Sequence, residues 1–224
     1  LDGSGNDPDQ PHMGKVGRAF SRNSPPEART ERSEIEDPDP RLVSRKLLHN
    51  SGKQTLAPGI NLLAVAWIQF QVHDWVNHKT DPNKTIEFPA TDLSPALTVA
   101  ATEEISDGAD EVRYANTQGH WWDGSQIYGS DKATMDSLRT FQDGKMILVD
   151  GRLPIEAETG KAKTGFNRNW WVGLEILHTL FVMEHNQIAD MLLENYPDWD
   201  DEKVFQTARL INAAEIAKIH TVDW

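Results

Sequence analysis

Asn61-Leu-Leu-Ala-Val-Ala-Trp-Ile-Gln-Phe-Gln-Val-His-Asp-Trp-Val-Asn-His78 is the stretch whose reading decides the fold. Leu62, Leu63, Val65, Ala66, Trp67, Ile68, Phe70, Val72, Trp75 and Val76 leave almost no polar face. A helix that is apolar all round is a buried helix. Its polar exceptions, Gln69, Gln71, His73 and Asp74, therefore need partners, because a buried polar group without a hydrogen bond is costly. Gln69 and His73 are four residues apart and project from one face, one turn apart. Two readings stand for His73. An imidazole with an unperturbed pKa of ~6.5 can take a proton from a bound substrate and return it, with the amide holding the same ligand. Spacing alone favours the other reading, a core histidine satisfied by a neighbouring amide.

Outward from this segment the chain remains mainly α-helical. From Trp170 to Asn195 apolar residues recur at helical spacing over many turns, which predicts a second long, largely buried helix. Asp198 or Asp200 can cap a third helix reaching about Ile219, with Val204, Ala208, Leu210, Ile211, Ala214 and Ile216 as its apolar side. Residues 78–120 carry turn signals, among them Asp81-Pro82-Asn83 and Ser106-Asp107-Gly108, and read as irregular connection. Residues 148–154 hold a weak hairpin cue in Val-Asp-Gly-Arg. Residues 1–58, rich in Pro, Gly, Asp, Arg and Ser, read as an extended or partly disordered arm with a helical turn or two near Arg41 to Leu48. The catalytic part is then expected over residues 59–224.

Composition excludes several functions. The 224 residues are 38% hydrophobic and 25% charged, with a formal net charge of −13, which disfavours nucleic acid and anionic membranes as partners. With no cysteine there is no disulfide framework, thiolate metal site or Cys nucleophile. No apolar run approaches the ~20 residues that span a bilayer. A soluble, cytoplasmic protein is expected, with peripheral membrane association as the alternative.

Three further runs join the opening one: His120-Trp-Trp-Asp-Gly-Ser-Gln-Ile-Tyr-Gly-Ser130, Arg168-Asn-Trp-Trp-Val-Gly-Leu-Glu-Ile-Leu-His-Thr-Leu-Phe-Val-Met-Glu-His-Asn186, and Ala208-Arg-Leu-Ile-Asn-Ala-Ala-Glu-Ile-Ala-Lys-Ile-His-Thr-Val-Asp-Trp224. In order and spacing these four runs resemble the distal half of the animal-type haem peroxidase and cyclooxygenase superfamily, above all its fatty-acid α-dioxygenase branch. The resemblance implies a haem-peroxidase-like helical domain, incomplete in this chain, with His73 as acid and base toward peroxide and Gln69 positioning the oxygens. It turns the weighing of His73 from core residue to catalyst.

The same resemblance implies one calcium ion bound by Asp74 and the loop Gly119-His-Trp-Trp-Asp-Gly-Ser125. Asp123 and Ser125 offer side-chain oxygens and Trp121 a backbone carbonyl, and hard oxygen donors at alternate positions suit Ca²⁺. Gly119 stands where related loops often carry Thr, so one hydroxyl ligand is lost. The competing reading is a Trp-rich turn with solvated carboxylates.

In the animal peroxidases that the chain resembles, carboxylates hold the haem by ester bonds, one of them immediately before the distal histidine; here that place is Val72, and Trp170 and Trp171 stand where the second is looked for near Arg168. Non-covalent haem b is therefore expected. Arg168 is expected near the haem propionates or the distal side. By resemblance His220 anchors a fatty-acid carboxylate; without it, His220 is a histidine favourable to a helix C-terminus. His178 and His185 are too far apart for one metal ion, and Glu184-His185-Asn186 reads as a buried network that locks its helix. The haem-ligating proximal histidine and the radical tyrosine are expected beyond Trp224, supplied by a C-terminal chain or a missing segment.

The expected substrates are a fatty acid, O2 and hydrogen peroxide, with a 2-hydroperoxy acid as product. The alternatives are a peroxidase acting on small donors and a non-catalytic fragment that needs its C-terminal partner.

Overall fold

A computed structural model describes residues 2–21, 38–50, 52, 56–92, 95–105 and 112–223. Two units emerge: one comprises Leu1–Arg18, Asn61–Asn77 and Thr117–Trp224, the other Ala19–Ile60 and His78–Asn116. The stretch expected as an arm, residues 1–58, contributes to both. Its residues 22–37, and the turn signal Ser106-Asp107-Gly108, lie outside the described residues.

The first unit is helical, as expected. Helix α2 (Leu62–Trp75) starts where the Asn61 side chain accepts from Leu63 N and Ala64 N, a cap contributing about 1 kcal/mol. Short helices α3 (Ser125–Tyr128) and α4 (Lys132–Leu138) follow, the latter capped by Asp131. The two long predicted helices are present as α5 (Val172–Asn195) and α6 (Asp201–Lys218). Of the two proposed caps for α6, Asp200 does the work, accepting from Lys203 N; a wider π-type turn, Ile219–Asp223, then extends the helix. Trp67, Phe70, Tyr128, Leu174, Phe181, Phe205 and Ile216 form the core. The weak cue at residues 148–154 closes as a minimal hairpin: Val149 and Arg152 exchange both backbone hydrogen bonds, with Asp150 and Gly151 at φ 50° and 73°.

Burial corrects one expectation. α2 is apolar all round but buried on one side only: Ala66, Trp67, Phe70, Gln71, His73 and Asp74 are inside, while Leu62, Leu63, Val65, Ile68 and Val72 are well exposed. α5 behaves alike, burying Leu174, Leu177 and Phe181 and exposing Val172, Ile176, Leu180 and Met183. The helices pack on each other through one stripe apiece, and among the described residues no element covers the opposite stripes. On α6, Leu210, Ile211 and Ala214 are likewise open rather than packed.

The second unit overturns the reading of residues 78–120 as irregular. Strands β1 (Thr80–Phe88) and β2 (Leu97–Thr102) pair antiparallel, with Thr85, Ile86, Glu87 and Phe88 opposite Ala100, Val99, Thr98 and Leu97. The turn signal Asp81-Pro82-Asn83 falls within an irregularity of β1 between Thr80 and Thr85, so a local breaker is absorbed as a bulge. Helix α1 (Pro40–Val43), with a π-type turn through Leu48, realises the helical turns expected near Arg41. The Arg41 guanidinium holds Asp39 and donates to Pro89 O and Pro95 O, which ties this helix to the hairpin.

Candidate active site

His73 lies on the packed side of α2, 5% exposed, edge-on to Phe166 with ring centroids 4.6 Å apart. Its Nδ1 is buried without a hydrogen-bond partner, and burial lowers its pKa to about 4. The ring is therefore neutral at physiological pH, the state a proton acceptor needs. Its backbone carbonyl accepts from the Gln118 side chain at 3.0 Å, which fixes the end of the helix that carries the ring.

Gln69 is pinned. Its Oε1 accepts from Trp171 Nε1 at 2.7 Å and its Nε2 donates to Asn169 O at 3.2 Å. No hydrogen bond joins it to His73, so the shared face did not become a direct bond. One of its two amide protons satisfies Asn169, leaving a second donor. Arg168 is exposed and donates to Asn77 Oδ1 at 3.4 Å, which places it beside the C-terminal end of α2, the end that carries His73. Neighbouring Trp170 donates to Glu175 Oε2 at 2.9 Å.

On another side of α2 the structure brings Asp74 together with the 119–125 loop. Ser125 N donates to Asp74 Oδ1 at 2.7 Å and to Asp123 Oδ1 at 3.1 Å, while Ser125 Oγ donates to Asp74 Oδ1 at 3.0 Å and lies 3.1 Å from Asp74 O. Asp74 Oδ2 is buried without a partner. Burial, then the nearby Asp123 carboxylate, pushes the Asp74 pKa well above the usual carboxylate range, and burial raises that of Asp123 too. A Cβ on Gly119 would lie 3.3 Å from Asp123 Oδ2, so position 119 also faces this pair. Trp121 packs its indole against Gly14 and donates to Met13 O. No cluster of three or more His, Asp or Glu suited to a metal forms among the described residues; any cation here relies on two carboxylates completed by hydroxyl and backbone oxygens.

His220 sits among Trp67, Trp75 and Trp122, with ring centroids 6.3, 5.6 and 5.3 Å away. Its Nδ1 accepts from Trp67 Nε1 at 3.1 Å. A neutral imidazole that accepts at Nδ1 carries its proton on Nε2, so the protein presents His220 as a donor. Elsewhere His185 bonds Tyr128 OH and Gly144 O, and Asn186 bonds both Met146 N and Met146 O. This is the expected helix lock, with Glu184 making no part of it. The sequence did not signal His178 as more than a core residue, yet the structure buries it completely next to the His73 turn.

The model of one family, the animal haem peroxidases, matches residues 1–224. The chain belongs to the animal haem peroxidase family. Within that family it is 40% identical to alpha-dioxygenase 2 of Arabidopsis thaliana, matching all of this chain and 36% of the relative. The crystal structure of Oryza sativa fatty acid alpha-dioxygenase superposes with a TM-score of 0.90 at 35% identity, covering 99% of this chain and 37% of that one. A variant of the rice enzyme with palmitic acid gives 0.86 at 35% identity, covering 94% and 35%. The chain thus spans little more than a third of the relatives it matches.

A haem peroxidase needs haem, and the residues present fit one. The imidazole of His73 is neutral, and the helix that carries it also presents the open apolar stripe that includes Ile68 and Val72. His73, Gln69 and Arg168 are the groups of this chain that could face it.

Proposed function

We propose that the whole protein is a haem-dependent fatty-acid α-dioxygenase, of which this chain supplies the peroxide-handling half. His220 carries the reading: a histidine made a donor by Trp67, in an aromatic cage, suits a fatty-acid carboxylate, whereas a peroxidase of small donors has no use for it. The relatives' names, and palmitic acid with the rice enzyme, support the same substrate class.

When bound, haem supplies the iron at which peroxide is cleaved. His73 takes the proton of the incoming peroxide and returns it to the leaving oxygen, and its lowered pKa keeps it ready for the first of these. Gln69 would position the oxygens with its second amide proton, and Arg168 would hold the propionates or serve the distal side. No carboxylate precedes His73, and Glu175 is occupied by Trp170, which supports non-covalent haem b. A tyrosyl radical from outside this chain removes hydrogen from carbon 2 of the fatty acid. O2 adds there and the hydrogen returns, giving the 2-hydroperoxy acid. His220 fixes the carboxylate so that only carbon 2 reaches the radical.

A C-terminal segment that also carries the proximal histidine would cover the open stripes of α2 and α5, which are apolar enough to need a partner. Calcium would be held between Asp74 and the 119–125 loop by Asp74, Asp123, Ser125 and the backbone of Gly119 and Trp121. The unpartnered Asp74 Oδ2 beside a second buried carboxylate supports a cation there.

Oxygen uptake by the full-length, haem-loaded protein with a saturated fatty acid tests the proposal. Uptake with a 2-hydroperoxy product is expected, and His220→Phe should raise KM far more than it lowers the peroxide reaction. Peroxide-dependent oxidation of small donors without oxygen uptake would instead establish the peroxidase.

A further inference from the structure

A proton acceptor presented on one ring nitrogen must carry its proton on the other, and something must hold that proton. In His73 the inner nitrogen, Nδ1, is buried with no partner. The structure offers one group of complementary character. His178, on α5, is completely buried, wedged edge-on against Phe70 at 4.9 Å and Trp170 at 4.8 Å, and Phe70 lies one helical turn before His73. A charge on His73 would disfavour one on His178, in keeping with Phe70 packing between the two parts of the fold.

The protonation of His178 follows from its neighbours. Thr164 Oγ1 lies 3.2 Å from Gln126 O and 2.9 Å from His178 Nδ1. The hydroxyl has a single proton, and a carbonyl can only accept. Both contacts become hydrogen bonds in just one arrangement: Thr164 donates to Gln126 O and accepts from His178 Nδ1–H. Burial keeps His178 neutral. Its Nε2 is therefore an unprotonated acceptor, and this atom too is buried without a partner. One orphan requires a donor, and the other, if His73 works as a base at its outer nitrogen, is a donor.

We infer that His178 is a positioning residue for His73: through one bridging water, His178 Nε2 accepts the Nδ1 proton of His73 and so keeps the lone pair of His73 on Nε2. The relay runs from Gln126 O through Thr164 and His178 to His73. Every member beyond His73 comes from a different part of the fold, Gln126 from α3, Thr164 from the loop before α5 and His178 from α5. A water link is nearly as good as a direct bond when both partners are otherwise unmet. The amide of Gln126, the residue whose backbone carbonyl meets Thr164, is buried with unmet atoms, which makes this interior polar enough to hold it.

The inference rests on the acid–base reading of His73, and the test separates the two. In the full-length haem-loaded enzyme, the second-order rate with hydrogen peroxide is measured for His73→Ala, His178→Phe, His178→Gln and Thr164→Val. The tautomer of His73 is read by ¹H–¹⁵N NMR of the histidine-labelled full-length apoprotein. His178→Phe should slow the peroxide reaction roughly 10- to 100-fold, as losses of tautomer-fixing partners commonly do. His178→Gln, whose amide oxygen still accepts, should recover most of that rate. Thr164→Val keeps His178 but frees its tautomer, and it gives a smaller loss even if His178→Phe fails to fold. In the wild type His73 should appear as the Nδ1–H tautomer, and Thr164→Val should mix it. A wild-type Nε2–H tautomer overturns the inference, as do equal losses in the Phe and Gln variants or a Thr164→Val variant unchanged in both readouts. If His73→Ala keeps the wild-type peroxide rate, the acid–base reading itself fails. If that variant is inactive while the His178 variants react normally, only the relay fails.

Discussion

Two buried charged clusters in the helical unit behave in opposite ways. The Arg139 side chain is 2% exposed, yet its guanidinium donates to Asp201 and Glu202 and stacks over Phe205 at 3.9 Å and Phe141 at 4.9 Å. The charge of Arg139 is met within the chain. Asp74 and Asp123 are both carboxylates, buried side by side and held together by Ser125; among the described residues neither forms an ion pair, and the charge of Arg209 reaches Asp123 without overcoming its burial. A charge that the fold itself neutralises is a structural latch. A pair of buried carboxylates that the fold leaves without an ion-pair partner has room for a cation from outside, which supports the calcium proposed above.

The strongest way to break this contrast is at the latch. Arg139→Met should destabilise by about 2–3 kcal/mol, less than the usual loss from a dismembered buried pair because Asp201 and Glu202 reach water. Urea unfolding measures it, and calcium should neither cause nor cure the defect. Second is chelation. Removing calcium from the full-length protein should cost about 2–3 kcal/mol, the linkage expected when the ion is present at about 100 times its Kd. Asp74→Asn and Asp123→Asn should abolish that response in thermal melts; a wild type indifferent to EDTA would leave the pair as a plain polar turn.

The pH dependence of the calcium-free protein has a definite sign. Folded-state pKa values above the ordinary carboxylate range mean that the native state holds more protons than the unfolded one. Stability then falls as pH rises from about 4 through neutrality, and calcium should flatten that slope. Glu202 shows the opposite direction, lowered chiefly by its hydrogen bond to Arg139, so its contribution is present above the ordinary carboxylate pKa and fades in acid. Melting curves with EDTA across this range separate the two clusters.

Smaller effects sharpen the picture. Ser125→Ala removes the hydroxyl bonded to Asp74 and should cost about 1 kcal/mol along with some calcium affinity. Gly119→Thr should restore a hydroxyl beside Asp123 and tighten calcium binding modestly, since the one tight neighbour of its Cβ is the end of the Asp123 carboxylate, and Gly14 O and Trp121 N lie at ordinary contact distance. Calorimetric titration reads both.

Much of this was legible beforehand. The starts of α2 and α6 follow from local physics: an Asn or Asp before an apolar periodic run satisfies the first free N–H groups wherever the helix packs. The hairpin at residues 80–102 was hidden because Asp81-Pro82-Asn83 signals a turn locally, and only pairing across some twenty residues reveals the bulge that absorbs it. Gln69 shows the same limit. Helical spacing puts it on the face of His73, but the indole of Trp171, about a hundred residues on, decides where the amide goes.

By itself, the sequence determined the family, the helical character of the chain and the identity of its reactive groups, because motifs and periodicity are properties of neighbouring residues. Tertiary structure alone decided which side of α2 is covered, that Trp67 makes His220 a donor, that Asp74 and Asp123 share one buried space and that Thr164 fixes the proton of His178. Each of these is a hydrogen bond or burial between residues distant along the chain, and the energy of such contacts depends on where the fold places them.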